Sequence, residues 1–392
     1  MASSVILSAA RTPIGSFNGA LASVSAPDLG AAAVTGALDR AGVAPDQLDE
    51  VILGNVVSAG VGQAPARQAA IAAGVPDSVA CFTVNKVCGS GLKAVMLADQ
   101  AIRAGDVEVA VAGGMENMSQ APFLLDKART GYGYGNGTLI DALFHDGLRD
   151  PYSGDAMGVA GDLCADTCGV PRERQDAFAI ESYTRAQAAV ENGQFAQEIV
   201  PVTVKGRKGD TVVETDQEPA NTNFDKIPQL RPVFSKEGTV TAANASTLND
   251  GAAALVVTSA AWAEANGKTP LARIVATAQH SQKPVEFTTA PIQAVHNVLA
   301  KAGLEIGDID LFEVNEAFAV VALAAQDALD IPHDKLNVRG GAVAVGHPIG
   351  ASGARILTTL LFAMEETGAR RGVAAICNGG GEATAVLVER DA

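Results

Sequence analysis

The chain is predicted to fold as an α/β protein made of two similar halves stacked as layered sheets and helices, with an inserted loop domain between them. Short apolar strands alternate with amphipathic helices near both ends of the sequence. The two ends also match faintly: Ala41-Gly42 recurs as Ala302-Gly303, Asp49 as Asp310, Ser90-Gly91 as Ser352-Gly353 and Lys93 as Arg355, all at the same separation to within one residue. Between them the texture becomes polar and turn-rich.

In the first half, residues 28–40 read as a helix closed by Ala41-Gly42, and 51–57 as a strand led by Asp49. A glycine-rich turn then leads to a helix over 92–103 and a buried strand over 107–112. Residues 292–301, 309–314, 354–365 and 373–377 fill the same places in the second half. The middle carries the glycine and tyrosine run Gly131 to Gly137, a polar helix over 172–192 and a charged segment over 205–225. The expected division is residues 1–120, completed by about 248–270, then the insertion 121–247, then 271–392.

With 392 residues, 48% of them apolar, the chain can bury a large core. The balance of 28 Lys plus Arg against 44 Asp plus Glu gives a net charge of −16, which opposes binding of nucleic acid or an anionic membrane by the whole surface. An anionic small ligand then needs a local basic group, such as Lys205, Arg207 and Lys208 with Lys226 and Arg231. Five cysteines are too few for a disulfide framework and fit a reducing compartment. Cys164 and Cys168 lack a second ligand pair for zinc and are expected on one helix. Met1 to Gly15 has neither a basic nor a long apolar region and no stretch is long enough to span a membrane, so the expected location is the cytoplasm.

Three loops carry candidate chemistry. Cys88, before Gly89-Ser90-Gly91, stands at the mouth of a helix, where free N–H groups favour a thiolate and lower the thiol pKa. His347, between Gly346 and Pro348, leads into another helix start and suits proton transfer or hydrogen bonding to an oxyanion. Cys377 closes a strand before three glycines and reads as a redox partner or as a base. Asn315-Glu316 follows a strand and reads equally as a helix start or as a polar pair at the sheet edge.

These residues match a known family. The segments Asn85 to Val95, Ala112 to Ser119, Thr239 to Ala254, Asn315 to Phe318, Gly340 to Arg355 and Cys377 to Gly381 make the chain, over residues 4–389, resemble the thiolases, most closely the acetoacetyl-CoA thiolases. The resemblance implies a reversible condensation of two acetyl-CoA to acetoacetyl-CoA and CoA. Cys88 would carry the acetyl group, His347 would activate it, and Cys377 would act as acid and base on the second substrate. It further implies one oxyanion site from His347 and a water held by Asn315, and a second from the N–H groups of Cys88 and Gly379. Ser246 and Lys226 would contact CoA, Met157, Phe234, Phe287 and Phe318 would wall the acyl pocket, and no covalently bound cofactor is expected. A potassium ion held by Tyr183, Ala242, Ala243, Ala245 and Val343, and a homotetramer joined through residues 131–138, complete the implied picture.

The chain departs from many relatives at Ala156, where a histidine is usual, at Asn221, near which an arginine is usual, and at Glu382, where small or apolar residues are common. A decarboxylating condensing enzyme of the ketoacyl synthase type needs no second cysteine, so Cys377 argues against it. A thiolase-like carrier without catalysis is disfavoured by the four intact side chains, whereas a degradative 3-ketoacyl-CoA thiolase of broader chain length shares them all.

Overall fold

The computed structural model describes residues 3–391. Its first half runs β1 (Ser4–Arg11), β2 (Gly15–Ser16), α1 (Ala26–Ala41), β3 (Glu50–Gly54), α2 (Pro65–Ala72), β4 (Ala80–Val84), α3 (Ser90–Ala104) and β5 (Val109–Asn117). The insertion follows, with β6 (Phe123–Leu125), β7 (Leu139–Asp141), α4 (Met157–Cys168), α5 (Arg172–Glu191), β8 (Val202–Val204) and β9 (Thr211–Val213). Then come β10 (Asn249–Ser259), α6 (Ala260–Ala265), β11 (Ala272–Ser281), α7 (Ala290–Ala302), β12 (Leu311–Val314), α8 (Ala319–Leu329), α9 (Ala342–Val345), α10 (Ile349–Thr367), β13 (Arg371–Asn378) and β14 (Glu382–Glu389). No helix among the described residues is long and apolar enough to cross a membrane.

The strand order is β12-β13-β14-β11-β1-β10-β5-β3-β4. Where the halves join, β1 meets β11 through only two residue pairs, Val5 with Arg273 and Ile6 with Ala272. On each side of that seam the pattern repeats: β3 runs parallel to β5 as β12 does to β13, while β10 and β14 are the antiparallel strands beside them. The duplicated aspartates have one job in both halves. Asp49 accepts the backbone N–H groups of Glu108 and Val109 at 2.8 and 3.0 Å, and Asp310 those of Arg370 and Arg371, both at 2.9 Å. Each carboxylate thereby pins the start of the next parallel strand. Gly42 and Gly303, with φ of 57° and 68°, end α1 and α7 in the left-handed conformation that glycine adopts without strain.

The layers follow from which faces are apolar. Leu92 and Val95 of α3 and Ile356 and Leu360 of α10 pack between the inner faces of both sheet halves, against Ile6, Ile52 and Leu255 on one side and Ile274, Ile376 and Val388 on the other. α1 and α2 cover the outer face of the first half, and α7 and α8 that of the second. The central strands are therefore buried on both faces, which is why they read as continuous apolar runs without alternation. The insertion's helices α4 and α5 pack on α8. Arg11, fully buried on β1, ties the insertion to the first half by pairing with Glu198 at 2.5 Å and both oxygens of Asp216 at 2.7 and 2.8 Å.

Three boundaries differ from the sequence reading, each for a local reason. The strand expected to reach residue 57 stops at Gly54, because the N–H groups of Val56 and Val57 turn to the carboxylate of Glu116. The strand expected to end at residue 112 continues to Asn117, paired in register with β10 through Gly113 and Gly114. The last central helix begins at Ile349, not at 354, because Gly350 donates its N–H to Glu116 at 2.9 Å.

Gly114 lies so close to α10 that a Cβ there would stand 2.0 Å from the carbonyl oxygen of Gly350. Backbone cannot give way as a side-chain tip can, so Gly114→Ala should destabilise the fold by about 1–3 kcal/mol or more in urea unfolding. Unchanged stability would mean that the contact is looser than described.

Candidate active site

Both central helices start at the same place. A Cβ on Gly91 would stand 2.8 Å from the nitrogen of Ala354, and one on Gly353 would stand 2.4 Å from that of Leu92. The repeated Ser-Gly pair thus marks the crossing of α3 and α10, whose N-termini meet where the parallel strands end. That convergence brings the turns carrying Cys88 and His347 to one region, and Cys377 lies within electrostatic range of Cys88.

Cys88 sits in the turn before α3. Val87 is held at φ 47°, an unusual value for a β-branched residue. Asn85 Oδ1 accepts the Val87 N–H at 3.0 Å, while Ser90 Oγ accepts the Lys86 N–H at 2.8 Å and donates to the Val87 carbonyl at 2.6 Å. Burial pushes the Cys88 thiol up to about 12, outweighing the Gly379 N–H and its own N–H, which both hydrogen-bond the sulfur. This corrects the sequence expectation of a lowered pKa: desolvation exceeds the helix-terminus effect. Cys377, buried near the end of β13, has a thiol pushed well above its ordinary range by burial and then by the neighbouring Cys88.

His347 is fixed on two sides. Asn249 Oδ1 accepts its backbone N–H at 2.8 Å, and its ring Nδ1 lies 2.6 Å from Ser352 Oγ. Ser352 gives its one proton to the Pro348 carbonyl at 2.9 Å, so Nδ1 is the donor and Nε2 carries the lone pair. Nε2 is buried and has no partner among the described residues. Burial, then the charge of Arg355, pushes the imidazole down to about 3, so it is neutral near pH 7. Arg355 itself is buried 4.0 Å from Glu313.

Asn315, one residue past β12, has a buried side chain with neither amide atom hydrogen-bonded among the described residues. The backbone there is held by others: Asn337 accepts the Val314 N–H and donates to the Val314 carbonyl, both at 2.9 Å, and donates to Glu316 at 2.8 Å. Glu316 also accepts from Ser182 at 2.7 Å and from the Val343 N–H at 3.1 Å. The pair Asn315-Glu316 therefore ends the strand, and α8 begins only at Ala319. In the first half Glu116, at the end of β5, accepts from Asn55 and the N–H groups of Val56, Val57 and Gly350. Burial raises its carboxyl to about 7. Glu116 and Asn337 escaped the sequence reading; a charged residue ending the apolar run of β5 was the available signal for the first.

A cleft of about 560 Å³ of empty space opens onto His347 and is lined by Met157, Phe234, Ser246 and Phe318 together. The Phe234 and Phe318 rings meet edge to face with centroids 6.2 Å apart, and a Cβ on Gly158 would collide with Phe234. Ser246 is anchored by its N–H to the Ala317 carbonyl at 3.0 Å. Met118, Leu148, Leu248 and Ile349 also line the cleft, and Cys88 packs against the same cluster as Met118 and Ile349. Phe287 instead lines a smaller pocket beside Pro284, and Lys226 stands exposed outside the cleft lining. Cys164 and Cys168 do share one helix, their sulfurs 3.9 Å apart.

Of the five residues matched to a potassium site, Tyr183, Ala243, Ala245 and Val343 are buried, and Ala242 is exposed. The bridge between Ala245 and Phe318 is made through the backbone of Asn244 and Ser246, which leaves the Ala245 carbonyl outside it. The Tyr183 phenol, raised to about 12 by burial, lies near the carboxylates of Glu218 and Glu316. Free carbonyl, phenol and nearby negative charge are oxygen chemistry that suits a hard cation.

Two family descriptions cover the chain: thiolase, N-terminal domain, over residues 4–261, and thiolase, C-terminal domain, over residues 268–390. It is similar to a probable acetyl-CoA acetyltransferase of Dictyostelium discoideum, with 52% identity over 98% of this chain and 94% of that protein. The acetyl-CoA acetyltransferase of Schizosaccharomyces pombe is 51% identical over 98% of both chains, and that of Escherichia coli 52% identical over the full length of both. With matches of this extent over both halves of a duplicated fold, the chain belongs to the thiolase family.

Proposed function

We propose that the protein is an acetyl-CoA C-acetyltransferase that condenses two acetyl-CoA to acetoacetyl-CoA and CoA, and runs the reverse thiolysis on the same groups. The names of the full-length relatives support this reading. The observation that carries it is His347 in the cleft wall, its ring fixed by Ser352 and its buried Nε2 unpartnered among the described residues, together with Cys88 and Cys377 within electrostatic range of each other.

In the forward direction His347 Nε2 takes the Cys88 proton as the sulfur attacks the acetyl carbonyl, and the N–H groups of Cys88 and Gly379 receive the oxyanion. Collapse expels CoA as a thiolate, which leaves with the proton of Cys377. The enzyme then holds acetyl-Cys88, a Cys377 thiolate and an imidazolium. Cys377 removes the α proton of the second acetyl-CoA, and the enolate oxygen is met by Nε2–H of His347 and a water on the free amide of Asn315. The carbanion attacks acetyl-Cys88, and the departing Cys88 thiolate recovers its proton from His347. Charges and protons close over the cycle.

The edge-to-face pair Phe234 and Phe318, with Met157, walls the cleft beside His347 and favours short acyl groups over a broad 3-ketoacyl range. Ser246 is placed to meet the pantetheine arm and exposed Lys226 the nucleotide phosphates. Tyr183 and the carbonyls of Ala242, Ala243, Ala245 and Val343 would hold potassium; its charge would stiffen the loop that carries Ser246. The five cysteines are free, in keeping with the cytoplasm.

Acetyl-CoA should place one acetyl group on Cys88, located by peptide mass spectrometry, and Cys88→Ser should take none. Labelling of Cys377 with Cys88 unmodified would reverse the roles. Cys377→Ser should still acquire the acetyl group but exchange α protons with deuterated water about 10²–10⁴-fold more slowly, the usual range for loss of a general acid and base. Normal exchange would place the base elsewhere. We further propose a tetramer: β4 is an unpaired sheet edge with Phe82 exposed, and the hairpin of β6 and β7 carries exposed Phe123, Tyr134 and Leu139. Light scattering at micromolar concentration should give four times the mass of one chain, and a monomer would reject this assembly.

A further inference from the structure

The Cys88 turn and the glycine loop after Cys377 belong to opposite halves, yet the oxyanion site needs an N–H from each. A side-chain ion pair joins them directly: Lys86 Nζ binds Glu382 Oε2. Lys86 is two residues before Cys88, and Glu382 is three after Gly379, beyond Gly380 and Gly381 at φ 91° and 89°. That turn has no side chains of its own to hold it, and the Cys88 turn contains the strained Val87.

Glu382 is presented on both oxygens. Ser281 on β11 donates to Oε1 at 2.9 Å, and Asn378 Nδ2 reaches Oε2 at 3.4 Å. Asn378 in turn points its Oδ1 toward Gly89, where a Cβ would stand 3.0 Å away. The pair is partly enclosed, with the Lys86 side chain 17% and the Glu382 side chain 33% exposed. A pair so placed adds little to global stability. Its leverage is geometric, because catalytic donors have to be held within about 0.5 Å of the productive position.

We propose that Lys86 and Glu382 form a clamp across the two halves that holds the Cys88 and Gly379 N–H groups on one point, making both of them positioning residues for acyl transfer. The proposal rests on the acyltransferase reading above. Lys93, on the next turn of α3, is another cation in the field of this pair, with Lys301 beyond it. It is anchored one helical turn further from Cys88, so it neutralises charge there without joining the two turns.

The test uses the full-length enzyme with Glu382→Gln, Lys86→Met, the two combined, and the charge exchange Lys86→Glu with Glu382→Lys. Acetoacetyl-CoA thiolysis gives kcat and KM, and thermal melting reports stability. Each single change should lower kcat by about 10- to 100-fold, the scale of misplacement within a preorganised site, with KM for CoA and the melting temperature nearly unchanged. The combined variant should be no worse than the poorer single one, and the exchange should recover part of the loss. Single variants within about twofold of wild type in kcat, or losses that multiply in the combined variant, would overturn the clamp. Acetylation of wild-type Cys88, measured alongside, separates the two readings. An adduct on the wild type with undiminished variants overturns the clamp alone, whereas no adduct on the wild type overturns the acyltransferase reading and the clamp with it.

Discussion

The rest of the structure depends on the backbone contact between α3 and α10 at Gly91 and Gly353. Side chains at either position would push the helices apart, and the two sheet halves packed on them would follow. Because the contact is near both N-termini, it also decides where the chemistry can be. The helix starts, the ends of the parallel strands and the turns between them are forced into one region, and a cysteine from each half comes within electrostatic range of the other. Gly54 and Gly114 extend the same close packing from β3 and β5 to the start of α10.

Enclosure has an electrostatic consequence that opposes the simplest view of a reactive cysteine. Partial charge at a helix start favours a thiolate, but the site is buried enough to push Cys88 up and His347 down. Both groups are thereby pushed toward their neutral forms. The tautomer of His347, set by Ser352 and the Pro348 carbonyl, leaves Nε2 with its lone pair and no partner among the described residues.

The layered architecture was legible because buried strands and amphipathic helices leave periodic patterns, and the duplication because Asp49 and Asp310 cap the same strand start. The three loops were legible because glycines cluster beside Cys88, His347 and Cys377, although Gly91, Gly346 and Gly381 also prove to be closely packed. Boundaries were less so: the strand expected to end at residue 112 runs on through Gly113 and Gly114, since what excludes a side chain there is a contact with β10 and α10. Glu116 and Asn337 were missed for a related reason, as a polar residue that satisfies distant backbone groups has no local periodicity. The ion pair of Lys86 with Glu382 was out of reach too, although the charge of Glu382 was visible, because only the packing of the halves reveals its partner.

Duplication supplied equivalent positions, and divergence assigned them different tasks. Ser90 stays within the Cys88 turn, whereas its counterpart Ser352 orients an imidazole. Lys93 remains half-exposed, whereas its counterpart Arg355 is buried beside Glu313 and, after burial itself, adds to the lowering of the His347 imidazole pKa. Glu116, at the end of β5, locks the first half onto α10 with four hydrogen bonds. Asn378, at the same place on β13, leads into the glycine turn that provides an N–H to Cys88. One half is thus rigid where the other is open. Cys88, held by a strained, fully tied turn, lies within electrostatic range of Cys377 on a strand that ends in glycines, so a fixed sulfur and an approachable backbone come from different halves.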